Sequence, residues 1–408
     1  RHLSSAASDV YKRQTYHWAG FSALVVFVIA YAFVMAEEFT HLRKSKPVVL
    51  AAGLIWGMIA IAYSNTPHYE MVEHEIRHSF LEYTELAFFL LVAMTYINAL
   101  EERNVFNSLK SWLIKNQFSY RQLFWITGVL AFFLSPLADN LTTALVLCAV
   151  VVAVGSSSPK FVGLACVNIV VAANAGGAFS PFGDITTLMV WQAGQLDFLQ
   201  FFALVIPSVV NYIIPASIMH FFVSDHKPDV AETSVTIKYG GKTIILLGLL
   251  TIVTAVSFHN FLHLPPVFGM MTGLAYLQLY SFYIKISVKD IEEQKYDFFE
   301  NVARVEWDTL LFFFGVILSV GGLGFIGYLE YVSEFMYTDL GATTANVLVG
   351  ILSAIVDNIP VMFAVLTMEP AMPDSQWLLV TLTAGVGGSM LSIGSAAGVA
   401  LMGQSRGC

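Results

Sequence analysis

Apolar residues in this chain fall into runs about 20 long, divided by short polar loops. A helix needs about 20 apolar residues to cross the ~30 Å hydrocarbon layer of a bilayer, so each full run predicts one span. Seven qualify, at 18–36, 48–63, 82–100, 198–223, 243–258, 264–284 and 307–326, the second and fifth being short. Four more apolar stretches are interrupted: 121–155 at SPLADN (135–140), 160–193 at NAGGAFSPFGD (174–184), 343–368 at DNIP (357–360) and 377–402 at GGSMLSIGS (387–395). The breaks in 121–155 and 343–368 leave arms of about 10–15 residues, which fit re-entrant hairpins better than pairs of spans. The other two stretches fit single spans with an unwound middle. Irregular backbone at membrane depth is tolerated where protein or a water-filled cavity satisfies it.

Charge in the loops agrees with this drawing. If 121–155 and 343–368 are hairpins, the lysines and arginines of loops 37–47, 101–121, 224–242 and 285–306, with Lys160, all lie on one side, and Arg77 stands alone on the other. Basic loops mark the cytoplasmic face. Composition narrows the class further. Hydrophobic residues make up 57% of the 408 and charged residues 12%, with a mean hydropathy of +0.69. Soluble domains carry about 25% charged residues, so a soluble fold is excluded, as are disordered, collagen-like and disulfide-scaffold chains. A net charge of −9 argues against nucleic acid as a partner. Cys148, Cys166 and Cys408 show no metal or disulfide spacing.

The order of elements repeats. Three spans, an amphipathic stretch (104–117), a hairpin, a broken span and a span are followed by three spans, a short amphipathic stretch (330–339), a hairpin and a broken span. Asp139-Asn140 in the first hairpin matches Asp357-Asn358 in the second, each following a serine, Ser135 or Ser353, at the same interval. Gly176, Gly177 and Gly183 match Gly387, Gly388 and Gly394. An odd number of crossings separates the hairpins, so they enter from opposite faces. Inverted repeats with broken helices meeting near mid-membrane are a signature of secondary transporters. The expected fold is therefore an all-α polytopic membrane protein of two inverted repeats, 15–223 and 224–408, with two re-entrant hairpins and two broken transmembrane helices. Residues 1–14 are expected to be a non-native lead, and the second repeat to be truncated before its closing span.

Asp139, Asp184 and Asp357 are the acidic residues at membrane depth beside a break. A carboxylate there costs at least ~2.5–3.5 kcal/mol on insertion scales and usually has a task or a partner. No Lys or Arg in the surrounding segments pairs with them, so a proton or a bound cation must balance the charge. Exchange between those two states is the chemistry of a cation/proton exchanger, because proton and cation compete for one carboxylate. Neutral oxygens suited to a small hard cation flank the breaks: Asn140, Thr142, Thr143, Asn174, Ser180, Thr186 and Thr187 in the first half, Asn358, Ser389, Ser392 and Ser395 in the second. A single Ser or Thr in a membrane helix often only bonds a neighbouring helix. Asp184, whose repeat counterpart is Ser395, has its own structural reading as the N-cap of a half-helix beginning at Ile185.

One motif points elsewhere. His74-Glu75-Ile76-Arg77-His78 matches H-E-x-x-H, which on a helix presents two zinc ligands and a general base. A zinc intramembrane metalloprotease is thus the rival from another class. The motif is expected in a charged loop before a span, with no third ligand in view, so a solvated or pH-sensing loop is the simpler reading. The preferred reading is of a transporter, not an enzyme, with no cofactor.

SPLADNLTTALVL and NAGGAFSPFGDITTLMVWQAG closely resemble the NhaD-type sodium/proton antiporters of the ion transporter superfamily, as do TELAFFLLVAMTYINALEERNVF and VDNIPVMFAVL. The resemblance covers residues 20–402. It implies exchange of Na⁺ or Li⁺ for H⁺ across a bacterial inner membrane by a multi-pass homodimer with a scaffold and a moving transport domain. It also implies that Asp139, Asn140, Asp184, Asp357 and Asn358 lie at or near the ion path. Arsenite and dicarboxylate carriers of the same superfamily are the alternative within transport. Carboxylates at both hairpin tips would repel a dicarboxylate, which favours a cation.

Overall fold

The computed structural model describes residues 15, 17–155, 158–227, 235–287 and 296–390. Among them every regular element is a helix, and nine helices are long and apolar enough to cross a membrane. They are α1 (Trp18–Met35), α2 (Ser45–Tyr63), α3 (Tyr69–Glu102), α5 (Tyr120–Ala138), α7 (Pro159–Gly177), α9 (Phe198–His220), α10 (Gly241–Leu262), α11 (Pro266–Ser287) and α12 (Trp307–Ile326). Shorter helices are the amphipathic α4 (Val105–Lys115) and α6 (Asn140–Val154), α8 (Ile185–Gln192), α13 (Ala342–Ile355), α14 (Asn358–Thr367) and α15 (Asp374–Gly387). The protein is an all-α polytopic membrane protein, as its apolar runs predict.

Two departures have clear causes. Helix α3 begins 13 residues before the predicted span, because its first turns are polar and held by pairs along the helix, Arg77 to Glu73 at 2.7 Å and His78 to Glu82 at 3.7 Å. The HEIRH motif therefore lies on a helix and not in a loop. Helix α5 is 19 residues long, more than the arm expected, because the helix runs on through Pro136 to Ala138. Its start is fixed by a capping box, in which Ser119 and Gln122 satisfy each other's backbone N–H groups.

The chain forms two compact units, each drawing on both halves of the sequence. In the first (Arg1–Leu90, Glu306–Ala345 and Pro360–Met372), α2 packs along α12, with α1 against α2. Trp56 Nε1 donates to the carbonyl of Leu318 at 2.8 Å, and Ser45 Oγ donates to Asp308 at 2.5 Å. Small residues at the crossing permit close approach in the absence of a hydrophobic drive between helices.

The second unit (Leu91–Val305, Asn346–Ile359 and Pro373–Cys408) is centred on α7, which packs on α5, α6, α9 and α15. Its last turns are all small and fully buried: Ala172, Ala173, Ala175, Gly176 and Gly177. Pro136 deprives the carbonyl of Phe132 of its helical donor, and Gly176 lies against that carbonyl so closely that a Cβ would overlap it. Gly176→Ala is expected to cost about 1–3 kcal/mol by overpacking. The thermal midpoint of the detergent-purified variant measures this, against Gly163→Ala, where a Cβ meets nothing within 4 Å.

Candidate ion-binding site

The second unit brings the break between α5 and α6, the break after α7 and the end of α15 to one place. Residues 178–184 leave the helix, and the loop folds onto the α5–α6 break: Asn140 N–H donates to the carbonyl of Gly183 at 3.1 Å, and Ser180 Oγ donates to the carbonyl of Pro136 at 2.9 Å. A Cβ on Gly183 would lie 2.7 Å from Gly177 Cα and 2.9 Å from Pro136 Cα. These glycines are what allow the open backbone to reach the α5–α6 break.

Asp184 opens α8. Its Oδ1 accepts from the backbone N–H and from the hydroxyl of Thr186, both at 3.0 Å. The capping role therefore occupies one oxygen. Oδ2 faces Asn140 Nδ2 at 3.4 Å, and a Cβ on Gly385 would stand 3.1 Å from it. The same Asn140 amide donates to Asn174 Oδ1 at 3.0 Å, and Asn174 Nδ2 donates to Ser389 Oγ at 2.7 Å. A polar chain thus runs from Asp184 through Asn140 and Asn174 to Ser389, crossing from the first half of the sequence to the second. Asp184 is 3% exposed and, among the described residues, has no ion-pair partner.

Asp139 sits at the α5–α6 break with φ 55°, outside both helices, and caps α6. Thr142 donates to it twice, from the backbone to Oδ1 at 2.8 Å and from the hydroxyl to Oδ2 at 2.9 Å. Thr143 is buried, and its hydroxyl has no hydrogen-bond partner among the described residues. Ser180 is engaged in shaping the break, since it also accepts from Phe182 N–H at 3.2 Å. Thr187 donates to the carbonyl of Ala178 at 3.2 Å. In the second half Asn358 is buried, and Asp357 Oδ1 accepts from Ile359 N–H at 3.4 Å. Ser392 and Ser395 lie outside the described residues.

Matched positions in the two halves make matched contacts. Ser135 Oγ donates to the carbonyl of Ala173 at 2.6 Å, and Ser353 Oγ donates to the carbonyl of Ala384 at 2.6 Å. Gly176 lies against the carbonyl of Phe132, and Gly387 against that of Gly350. In the register set by the paired glycines, Asn174 corresponds to Gly385. Sequence reasoning missed Gly385 because it looked for oxygens. That register was the signal that could have found it: an amide on one side faces an empty place on the other, and the empty place adjoins Asp184 Oδ2. Filling it tests the geometry. Gly385→Ala is expected to raise the apparent KM for Na⁺ about tenfold, the equivalent of ~1.4 kcal/mol, as read by ion-driven proton movement in vesicles.

Among the described residues no three His, Cys, Asp or Glu side chains converge as metal ligands, and His74 and His78 stand on the polar turns of α3.

Comparison with known proteins agrees with this chemistry. A family model described as citrate transporter (CitMHS) matches residues 18–385. The Na⁺/H⁺ antiporter NhaD of Vibrio cholerae is 55% identical over 96% of this chain and 87% of its own length. That of Halomonas elongata is 53% identical over 99% of this chain and 86% of its own. Sodium/proton antiporter 1 of Arabidopsis thaliana is 33% identical over 94% of this chain and 67% of its own. With identity above one half along nearly its whole length, the chain belongs to the NhaD-type sodium/proton antiporter family.

Proposed function

We infer that the chain is a secondary transporter that exchanges Na⁺ or Li⁺ for H⁺, with buried aspartates binding cation and proton in competition. The observation that carries this reading is Asp184: a buried carboxylate with one oxygen fixed by Thr186 and the other facing the Asn140 amide, without an ion-pair partner among the described residues. A carboxylate so placed must take up a proton or a cation to be tolerated at membrane depth. Asn140, Asn174, Thr143, Thr186 and backbone carbonyls of the break supply the hard oxygens that a dehydrated alkali cation needs. Asp139 and Asp357, one at each hairpin tip, complete the proposed site with Asn358, Thr142, Ser180, Ser392 and Ser395. Deprotonated, the site holds the cation; protonated, it releases it. The empty, charged form is too costly to reorient through a low-dielectric layer, which enforces exchange.

The paired contacts of Ser135 and Ser353, and of Gly176 and Gly387, support inverted repeats built on residues 15–223 and 224–408 with hairpins at 121–155 and 343–368. A homodimer in the bacterial inner membrane is proposed on the family resemblance. An anion carrier is disfavoured because an incoming dicarboxylate would meet the buried carboxylate of Asp184.

Everted vesicles containing the protein provide the test. An acid-inside gradient is set up, and Na⁺, Li⁺, K⁺ and a dicarboxylate are added in turn. Dissipation by Na⁺ or Li⁺ and not by the dicarboxylate is expected; the reverse pattern would overturn the reading.

A further inference from the structure

Away from the aspartates, a cavity of roughly 620 Å³ opens where α5 begins and α9 ends. One wall is basic. Arg121 is half-buried, donating from Nη2 to the carbonyl of Val223 at 3.1 Å, while its Nε is buried without a hydrogen-bond partner among the described residues. Lys227 is exposed at the rim. His220 accepts from Trp125 Nε1 at its Nδ1, 3.0 Å away, which puts the proton of the neutral ring on Nε2 and makes that nitrogen a donor. Among the described residues the one carboxylate there, Asp225, accepts from Ser119 Oγ at 2.7 Å and is thereby tied to the start of α5. Two permanent positive charges thus face one negative charge already engaged.

The other wall is apolar: Phe118, Trp125 and Ile126. Beside it, Trp112 on the amphipathic α4 is half exposed and packs edge-on against Phe118, with ring centroids 6.1 Å apart. Trp at the end of a span marks the headgroup level of a bilayer, and the loops on this side carry 15 of the chain's 20 lysines and arginines, the cytoplasmic signature. A free anion would have no use for the aromatic wall. A molecule with a phosphate head and a hydrocarbon body matches both walls.

We propose that this cavity binds the phosphate headgroup of an anionic phospholipid of the cytoplasmic leaflet, held by Arg121, Lys227 and His220, with the glycerol and upper acyl chain along Phe118, Trp125 and Ile126. The lipid would bridge the start of α5, the helix that ends at Asp139, to the end of α9. The site is independent of the ion site and of the exchange reaction.

Thermal unfolding of the detergent-purified protein, titrated with short-chain phosphatidylglycerol, tests this. The midpoint is expected to rise by several degrees. In Arg121→Gln/Lys227→Gln the apparent lipid affinity should fall on the order of tenfold. Lys227→Gln alone, at an exposed position that does not endanger folding, should show a smaller loss in the same direction. Lys242→Gln, on the same basic face but outside the cavity, should leave the shift unchanged. Equal stabilisation of wild type and cavity variants would overturn the proposal, as would an equal loss in Lys242→Gln. A shift of the same size with inorganic phosphate alone would also overturn it, because the site would then take any phosphate and not a lipid.

Discussion

Replacing Asp184 with Asn is expected to abolish Na⁺- and Li⁺-driven proton movement while leaving the protein inserted and folded. The substitution separates two roles that one side chain combines. Asn is as good an N-cap as Asp, so the bonds from Thr186 that start α8 can persist through the amide oxygen. What is lost is the charge. Removing one partner of a buried charge pair costs about 3–5 kcal/mol, which at ~1.4 kcal/mol per decade lowers cation affinity roughly 10²–10³-fold. Proton uptake at this position disappears as well, since an amide does not titrate. Asp184→Glu should retain weak exchange, because it keeps the carboxylate but moves it one methylene toward Gly385, where a Cβ would already stand 3.1 Å from Oδ2. Normal exchange by well-inserted Asp184→Asn would remove Asp184 from the mechanism and leave the tip aspartates to carry it.

The sequence made the spans legible because apolar length alone decides what can cross a bilayer. It was silent on the polar extension of α3, whose charged first turns are held by pairs four residues apart. The break motifs were legible for a different reason: glycine, proline and acid inside an apolar run are costly unless used, so they stand out. What a linear reading did not give was the surroundings of each aspartate. Asp184 looked weaker because its repeat counterpart is a serine and because capping explained it. The structure shows that capping uses one carboxylate oxygen, and that the other faces Asn140 and the gap at Gly385. That gap is made by a residue 201 positions away in sequence and has no side chain, so no residue-type pattern announces it. Ser135 and Ser353 were visible only as spacing marks. In the fold each donates to a carbonyl of its own half, Ala173 on α7 or Ala384 on α15, at the same 2.6 Å.

Asp139 presents the opposite problem, since its structural duty is heavier than that of Asp184. Both of its oxygens accept from Thr142, and its backbone holds φ 55° with ψ 160°, outside the left-handed helical region and near one that only glycine occupies readily. Two substitutions separate tip geometry from ion chemistry. Asp139→Asn keeps the cap and leaves the backbone strain as it is, so only the charge is removed. Asp139→Ala leaves the same strain and removes the cap, worth about 0.5–2 kcal/mol. If Asp139 binds the transported cation, both variants lose exchange, and the Asn variant does so with an unchanged thermal midpoint. If Asp139 serves only to shape the tip, Asp139→Asn exchanges normally, and Asp139→Ala loses exchange together with several degrees of stability. The expected result is the first. Asp357→Asn, at the matched position of the second half, should behave in the same way, because a cation shared between the two aspartates needs the charge at both. Proton movement in everted vesicles together with thermal midpoints of the same preparations distinguishes the outcomes. Full exchange in both Asn variants would confine cation binding to Asp184 and make the tips its scaffold.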